Sequence, residues 1–373
     1  MIQRTIEASI RSALSTGKVV ILLGARQVGK TTLAGMLFGT QPGTLWLNGD
    51  EPDIRAMFDH INSSRLRAII GDAKITVLDE AQRISDIGIK LKLITDQIQD
   101  VQLLATSSSS FTLANLVNEP LTGRKREFVL FPLSFAEMVA HHGLLEELRL
   151  LEHRLVFGYY PEVLTSPGGE RKALSEISQS YLYKDILALD HIKKSEKMEH
   201  LLRALAFQIG AQVSFAELGQ LCGLDSKTVE RYINVLEQAF VIFRLGSYSR
   251  NLRNELKASR KIYFTDNGIR NAIIADYRPV ELRDDIGKLW ENFLVSERIK
   301  RNSYTEDYAK SWFWRTQQQQ EIDYIEEKDG QLSAYEFKWN PAAKTKQPKV
   351  FLEAYPDSDF HVVHRDNFDA FLQ

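Results

Sequence analysis

Val19-Val20-Ile21-Leu22-Leu23-Gly24-Ala25-Arg26-Gln27-Val28-Gly29-Lys30-Thr31-Thr32-Leu33-Ala34 decides how this chain folds. Five consecutive apolar residues predict a strand buried on both faces, as in a parallel sheet. The next eight satisfy G-x-x-x-x-G-K-[ST], and Thr31-Thr32-Leu33-Ala34 opens a helix. Strand, glycine loop and helix together make an anion cradle. Backbone N–H groups curl around phosphate oxygens, and the helix N-terminus adds its positive dipole end. Gly24 to Thr32 are therefore the expected nucleotide-binding residues, with Lys30 on the β- and γ-phosphates and the Thr31 hydroxyl on Mg²⁺. The ligand this implies is a nucleoside triphosphate.

About fifty residues further on, Ile75-Thr76-Val77-Leu78 ends in Asp79-Glu80. An apolar strand ending in two acids suits the second side of such a site. Asp79 would hold Mg²⁺ and Glu80 would polarise the attacking water, which favours hydrolysis over simple nucleotide sensing. A third strand, Val101 to Ala105, runs into Thr106 and the serines Ser107 to Ser110. Polar residues at the carboxyl end of a neighbouring strand can position water or touch the γ-phosphate, although a serine run also reads as plain loop. Ser107 is counted with the nucleotide-binding set. Gly123-Arg124-Lys125-Arg126 precedes the strand Phe128-Val129-Leu130. Arg124 is a candidate arginine finger supplied to a neighbouring subunit; a solvated basic turn is the alternative.

Composition bounds the remainder. With 373 residues, 44% of them hydrophobic, the chain has material for two or three packed domains. A net charge of −2 does not announce a nucleic-acid binder, so local patches must carry any such claim. The single cysteine, Cys222, excludes an intrachain disulfide and a multi-cysteine zinc site, and fits a reducing cytosol. Arg4, Glu7 and Arg11 make the N-terminus a short amphipathic helix rather than a signal peptide. No apolar run reaches about 18 residues, so no membrane span is expected.

Residues 143 to 194 read as helices, including the amphipathic stretch Tyr181 to Ile186. Beyond Glu196 comes a helix, then Ser214-Phe215-Ala216-Glu217 as a capping box, the turn Cys222-Gly223-Leu224, and a helix capped by Asp225 that buries Val229, Ile233 and Leu236. With the following strand Val241 to Leu245, this predicts a winged helix-turn-helix. Residues 227 to 261 carry eight basic and three acidic side chains. The footprint points to DNA phosphates through Lys227, Arg231, Arg250 and Arg253; protein docking is the competing use.

The C-terminal third reads as strands Trp312 to Arg315, Glu321 to Ile325 and Leu332 to Trp339, with Gln317 to Gln320 as a hairpin loop. Asp323 followed by Glu336-x-Lys338 has the spacing of a metal-dependent nuclease, because alternation sets Glu336 and Lys338 on one face. Glu291, on the helix containing Leu289 to Phe293, is the candidate remaining acid. Glu-x-Lys is also common on exposed strands, and nuclease folds can be inert.

Taken in order, Gly24 to Leu33, Val77 to Gln82, Thr106 to Phe111, Gly123-Arg124, Pro132 to Phe135 and Gly158-Tyr159-Tyr160-Pro161 resemble a family of prokaryotic AAA+ ATPases. Members join an AAA core to a C-terminal domain of unknown function. The resemblance implies an α/β fold: a P-loop core with a parallel sheet (1–140), a helical lid or connector (141–195), a winged helix (196–256) and a restriction-endonuclease-like α/β domain (257–373). It implies ATP and Mg²⁺ as cofactors and a homo-oligomer, a hexamer by family analogy. It also implies an ATP-hydrolysing, DNA-binding motor or remodeller, with an ATP-regulated nuclease or a protein-docking switch as alternatives. Two departures stand out: Ser107 replaces the usual glycine after the strand, and Ile322 replaces the proline often found before the aspartate.

Overall fold

A computed structural model describes residues 2–372 except 40, 60, 99, 109–120, 180–194, 250–259, 317 and 319. Ser109, Ser110, Phe111, the stretch Tyr181 to Ile186, Arg250, Arg253 and Lys257 thus lie outside the described residues. The chain divides into two units: residues 1–133 with 238–240, and residues 134–237 with 241–373.

The first unit is built on a parallel sheet of β1 (Val19–Leu23), β2 (Thr44–Asn48), β3 (Ile75–Asp79), β4 (Gln102–Ser107) and β5 (Lys125–Val129), in the order β2-β3-β4-β1-β5. Every residue of β1 and β3 is buried. That explains their continuous Val, Ile and Leu content, because helices cover both faces of a parallel sheet. Val19, Ile21 and Leu23 on one face join Leu78, Leu103 and Ala105 and the helix residues Leu66, Leu91 and Ile94 in one core. The consequence for function is the order. β4 is inserted between β3 and β1, so three strand ends converge on the phosphate loop.

The second unit holds a seven-stranded mixed sheet. It comprises β6 (Gln212–Val213), β7 (Ile242–Ser247), β8 (Arg260–Phe264), β9 (Lys310–Arg315), β10 (Glu321–Lys328), β11 (Gln331–Lys338) and β12 (Asp359–His364), in the order β12-β11-β10-β9-β7-β8-β6. Two helices, Phe215–Cys222 and Ser226–Gln238, lie where the helix–turn–helix is expected. Gly223 turns between them at φ 63, and Asp225 accepts the Thr228 N–H at 2.9 Å. Its following strand, β7, pairs antiparallel with β8 and parallel with β9, so strands on both sides of residue 257 share one sheet.

Residues 134–157 also belong to this second unit, seven residues before the expected core boundary at 140. Ser134 opens the helix Phe135–His142 through a full capping box with Glu137. Buried Glu297 accepts the Phe135 N–H at 2.7 Å and the Lys300 ammonium at 2.6 Å. Asp266 does the same service further on: it accepts the Tyr159 N–H at 2.7 Å and caps the helix Asn267–Ile274. A Cβ at Gly158 would stand 2.1 Å from the Asp266 carboxylate, so the motif glycine is required by close approach. Asn292, fully buried on the helix Ile286–Tyr304, clamps both backbone groups of Phe264 at the end of β8. These pairings satisfy backbone groups that burial would otherwise strand.

Candidate functional site

The phosphate loop leaves β1 through Gly24, whose Cα lies so close to β5 that a Cβ would be 2.2 Å from the Leu130 carbonyl oxygen. Gln27 at φ 60 and Gly29 at φ 97 turn the backbone left-handed, which aims successive N–H groups inward. Gly29 caps the helix Lys30–Phe38. The Lys30 ammonium, buried, donates to the carbonyls of Gly24 and Ala25 at 2.9 and 2.8 Å and so lies across the loop. From outside the loop, buried Arg4 donates to the Val28 carbonyl at 2.9 Å and to the Phe131 carbonyl at 2.7 Å. The sequence held no local signal for this: Arg4 stands twenty residues ahead of the motif and read as part of a short amphipathic helix.

The acids come from β3. Thr31 donates its hydroxyl to Asp79 Oδ2 at 2.8 Å, and Thr106 donates to Asp79 Oδ1 at 2.5 Å. Thr106 also accepts the Glu80 N–H at 3.1 Å, which fixes Glu80 in a left-handed conformation at φ 48. Gln82 Nε2 and Ser108 Oγ both donate to Glu80 Oε2, at 2.5 and 3.1 Å. Gln82 Oε1 is buried without a hydrogen-bond partner. Strand alternation therefore decides which polar residues at the end of β4 and just beyond it face the acids. Thr106 and Ser108 do; Ser107 is buried between them, opposite Leu23. A hydroxyl and a carboxylate meeting at the loop are hard oxygen donors, and Mg²⁺ takes few protein ligands alongside phosphate and water. Thr31 and Asp79 fit that ion.

Arg124 immediately precedes β5, and its carbonyl accepts the Val19 N–H. It therefore flanks the sheet edge opposite the loop. The five-residue strand separates them by about 16 Å. Its guanidinium, partly exposed, pairs with Asp96 at 2.6 Å. It is too far to touch a nucleotide on this loop.

A second constellation lies in the other unit. Glu291 comes from the helix Ile286–Tyr304, Glu321 and Asp323 from β10, and Glu336 and Lys338 from β11. Lys338 donates to Glu336 at 2.6 Å, and the Phe337 N–H donates to Asp323 at 2.8 Å. Lys261 of β8, 2% exposed, reaches into the group: its ammonium is 2.9 Å from Glu291, 2.6 Å from Glu321 and 4.0 Å from Asp323. Tyr263 donates to Glu291 at 2.7 Å. Burial and the neighbouring Glu291 charge push the Asp323 carboxyl up to about 7. Burial and the charge of Asp323 likewise raise Glu336. Among the described residues, no group of three or more histidines, cysteines or acids is disposed to hold a metal ion.

The basic stretch is smaller on the surface than in the sequence. Lys261 is buried among acids, and Arg244 pairs with Glu237 and Asn234. Lys227 is exposed at the start of the helix Ser226–Gln238, and Arg231 on its outer side lies over the Tyr232 ring. No helix among the described residues is long and apolar enough to cross a membrane.

Comparison with known proteins follows the same division. Residues 16–139 match the AAA domain, 148–279 a domain of unknown function (DUF8612), and 286–370 another (DUF4143). An uncharacterized protein of Mycobacterium tuberculosis is 27% identical over 353 residues, covering 93% of this chain and 75% of its own. One from Haemophilus influenzae is 23% identical over 249 residues, 62% of this chain and 58% of its own. Among solved structures, the Walker-type ATPase of Pyrococcus abyssi aligns with a TM-score of 0.51 at 14% identity, over 74% of this chain and 96% of that one. The matches agree with the resemblance carried by the motifs: an AAA domain with a P-loop and parallel sheet, in one chain with a C-terminal match to DUF4143.

Proposed function

We propose that this AAA-type protein hydrolyses ATP with Mg²⁺ and uses the energy as an oligomeric, DNA-directed motor or remodeller. The observation that carries the chemistry is the convergence of Thr31, Asp79, Thr106 and Glu80 beside the phosphate loop. Lys30 would leave the carbonyls of Gly24 and Ala25 for the β- and γ-phosphates, since an ammonium gains charge pairing when phosphate oxygens replace neutral carbonyls. Thr31 and Asp79 would hold Mg²⁺, which when bound neutralises charge on the phosphates. Glu80, aimed by Ser108 and Gln82, would accept a proton from the attacking water. Arg124 would serve a neighbour's nucleotide, because its place beyond the opposite sheet edge bars it from its own.

The DNA reading is supported by the helix–turn–helix with Lys227 and Arg231 on the outer face of its second helix. Steep loss of DNA-stimulated turnover with salt would support it, and absence of DNA binding at low salt would exclude it. A nuclease reading rests on Asp323, Glu336 and Lys338 alone and is the weaker one. Glu80→Gln tests the core of the proposal. ATP binding should persist while turnover falls by about 100-fold or more; unchanged turnover would overturn the assignment.

A further inference from the structure

The C-terminal acids pose a separate question, independent of the ATPase reading: what balances their charge. Glu291, Glu321 and Asp323 arrive from a helix and from β10, and carboxylates brought this close need a cation between them. A nuclease-like site answers that need with a divalent metal. Here the answer is already in the chain. Lys261 stands on β8, and its ammonium meets acids carried by β10 and by the helix Ile286–Tyr304. The ammonium lies 5.4 Å from the centre of the buried Phe313 ring, a favourable face for a cation. From that same position it is 2.9 Å from Glu291 and 2.6 Å from Glu321, with Asp323 at 4.0 Å.

The surroundings are shaped for this arrangement. Tyr263, one alternation further along β8, donates to the same Glu291 oxygen that Lys261 holds. On the other side, the Glu291 carboxylate lies against Gly210, whose added Cβ would be 3.4 Å from all three carboxylate atoms. Glu291 therefore has both its charge and its space committed. Asp323 gives one oxygen to the Phe337 N–H, and Glu336 is held by Lys338. A hard divalent cation needs carboxylate oxygens converging at 2.0–2.6 Å on one point. With an ammonium at that point, the residues present do not fit one.

We infer that Lys261 is the resident cation of this acid cluster, standing where a nuclease-like site would hold a divalent ion, so that the C-terminal domain takes no metal and does not cleave phosphodiesters. The cluster is then an internal ion-pair network that ties β8, β10 and the helix Ile286–Tyr304 together. Removing the ammonium should turn the same acids into a metal site.

The test uses the full chain without nucleotide, so that no phosphate brings an ion to the loop. Thermal unfolding and Mn²⁺ titration by electron paramagnetic resonance are compared for wild type, Lys261→Met, Asp323→Asn and Lys261→Met/Glu291→Gln. Wild type should melt at the same temperature in chelator and in millimolar Mn²⁺, with no bound ion that Asp323→Asn removes. Lys261→Met should melt earlier in chelator and recover by a few degrees in Mn²⁺, and the added Glu291→Gln should abolish that recovery. An Asp323-dependent Mn²⁺ site in the wild type overturns the inference, as does a folded Lys261→Met protein indifferent to Mn²⁺. If Lys261→Met does not fold, Lys261→Gln takes its place, and the wild-type titration decides by itself. Duplex and branched DNA incubated with wild type and Mn²⁺ should stay intact; cleavage lost in Asp323→Asn overturns it too.

Discussion

Thr106→Val keeps the shape of a buried side chain and removes one hydroxyl, which makes it a sharp test of how the hydrolytic site is held. That hydroxyl donates to Asp79 at 2.5 Å and accepts the Glu80 N–H at 3.1 Å. A hydrogen bond to a charged group contributes about 1.5–3 kcal/mol, and a stranded polar group costs about 1–3 kcal/mol. Some of that loss falls on folding and some on the barrier, because the two acids it positions act only when aligned. If about 2–3 kcal/mol reaches the barrier, kcat falls by roughly 30- to 150-fold. Lys30 and the loop are untouched, so KM for ATP should stay within about threefold under the same positioning argument. Phosphate release at saturating Mg-ATP measures kcat, and Thr106→Ser should restore most of it. A kcat within twofold of wild type, with only the melting temperature lowered, would show that Thr106 is a packing residue and refute the reasoning.

Gly24→Ala should abolish nucleotide binding and destabilise the first unit by about 2 kcal/mol or more, since its Cβ would stand 2.2 Å from the Leu130 oxygen; fluorescence titration with a labelled ATP analogue checks it. Mixing Arg124→Ala with Lys30→Ala protein should restore part of the turnover that each lacks, because one subunit keeps the loop and the other the arginine; a mixture as inactive as its components argues against a shared site. Asp323→Asn should change stability with pH in a defined sense. A carboxyl raised from 3.8 to about 7 binds its proton more tightly folded than unfolded, so wild-type stability falls as pH rises from about 4 to about 7. The variant escapes that loss and should unfold later than wild type at pH 8, by up to roughly 4 kcal/mol, with the gap closing towards pH 4. Chemical denaturation at the two pH values measures it, and an equal gap at both would count against the buried carboxyl.

The phosphate loop was legible because everything it needs is contiguous: an apolar strand, glycines at the turns and a helix start. Asp79-Glu80 was legible by its strand. Thr106 was visible only as a polar residue ending a buried strand, because its role depends on β4 lying between β3 and β1, and strand order is set by packing among segments far apart in sequence. Lys261 went the other way. Next to Arg260 and in a basic stretch it read as surface charge, whereas the acids that bury it lie thirty to sixty-two residues later. Arg4 is the same case at the other end of the chain. Local pattern reports what a residue is; the long-range partner decides what it does.

The shared sheet of the second unit has a practical consequence for anyone cutting the protein into pieces. A fragment beginning at residue 257 would keep β8 but discard β7, the strand that pairs with β8 on one side and β9 on the other. With β6 gone as well, both edges of β8 and one edge of β9 would be exposed and invite self-association. Lys261 would lose the scaffold that carries it to Glu291. The helix–turn–helix and the acid-bearing strands are thus inherited together, like a handle forged in one piece with its blade. β7, which follows the helices at residues 215–238, is joined through β9 to β10 and β11 by backbone hydrogen bonds.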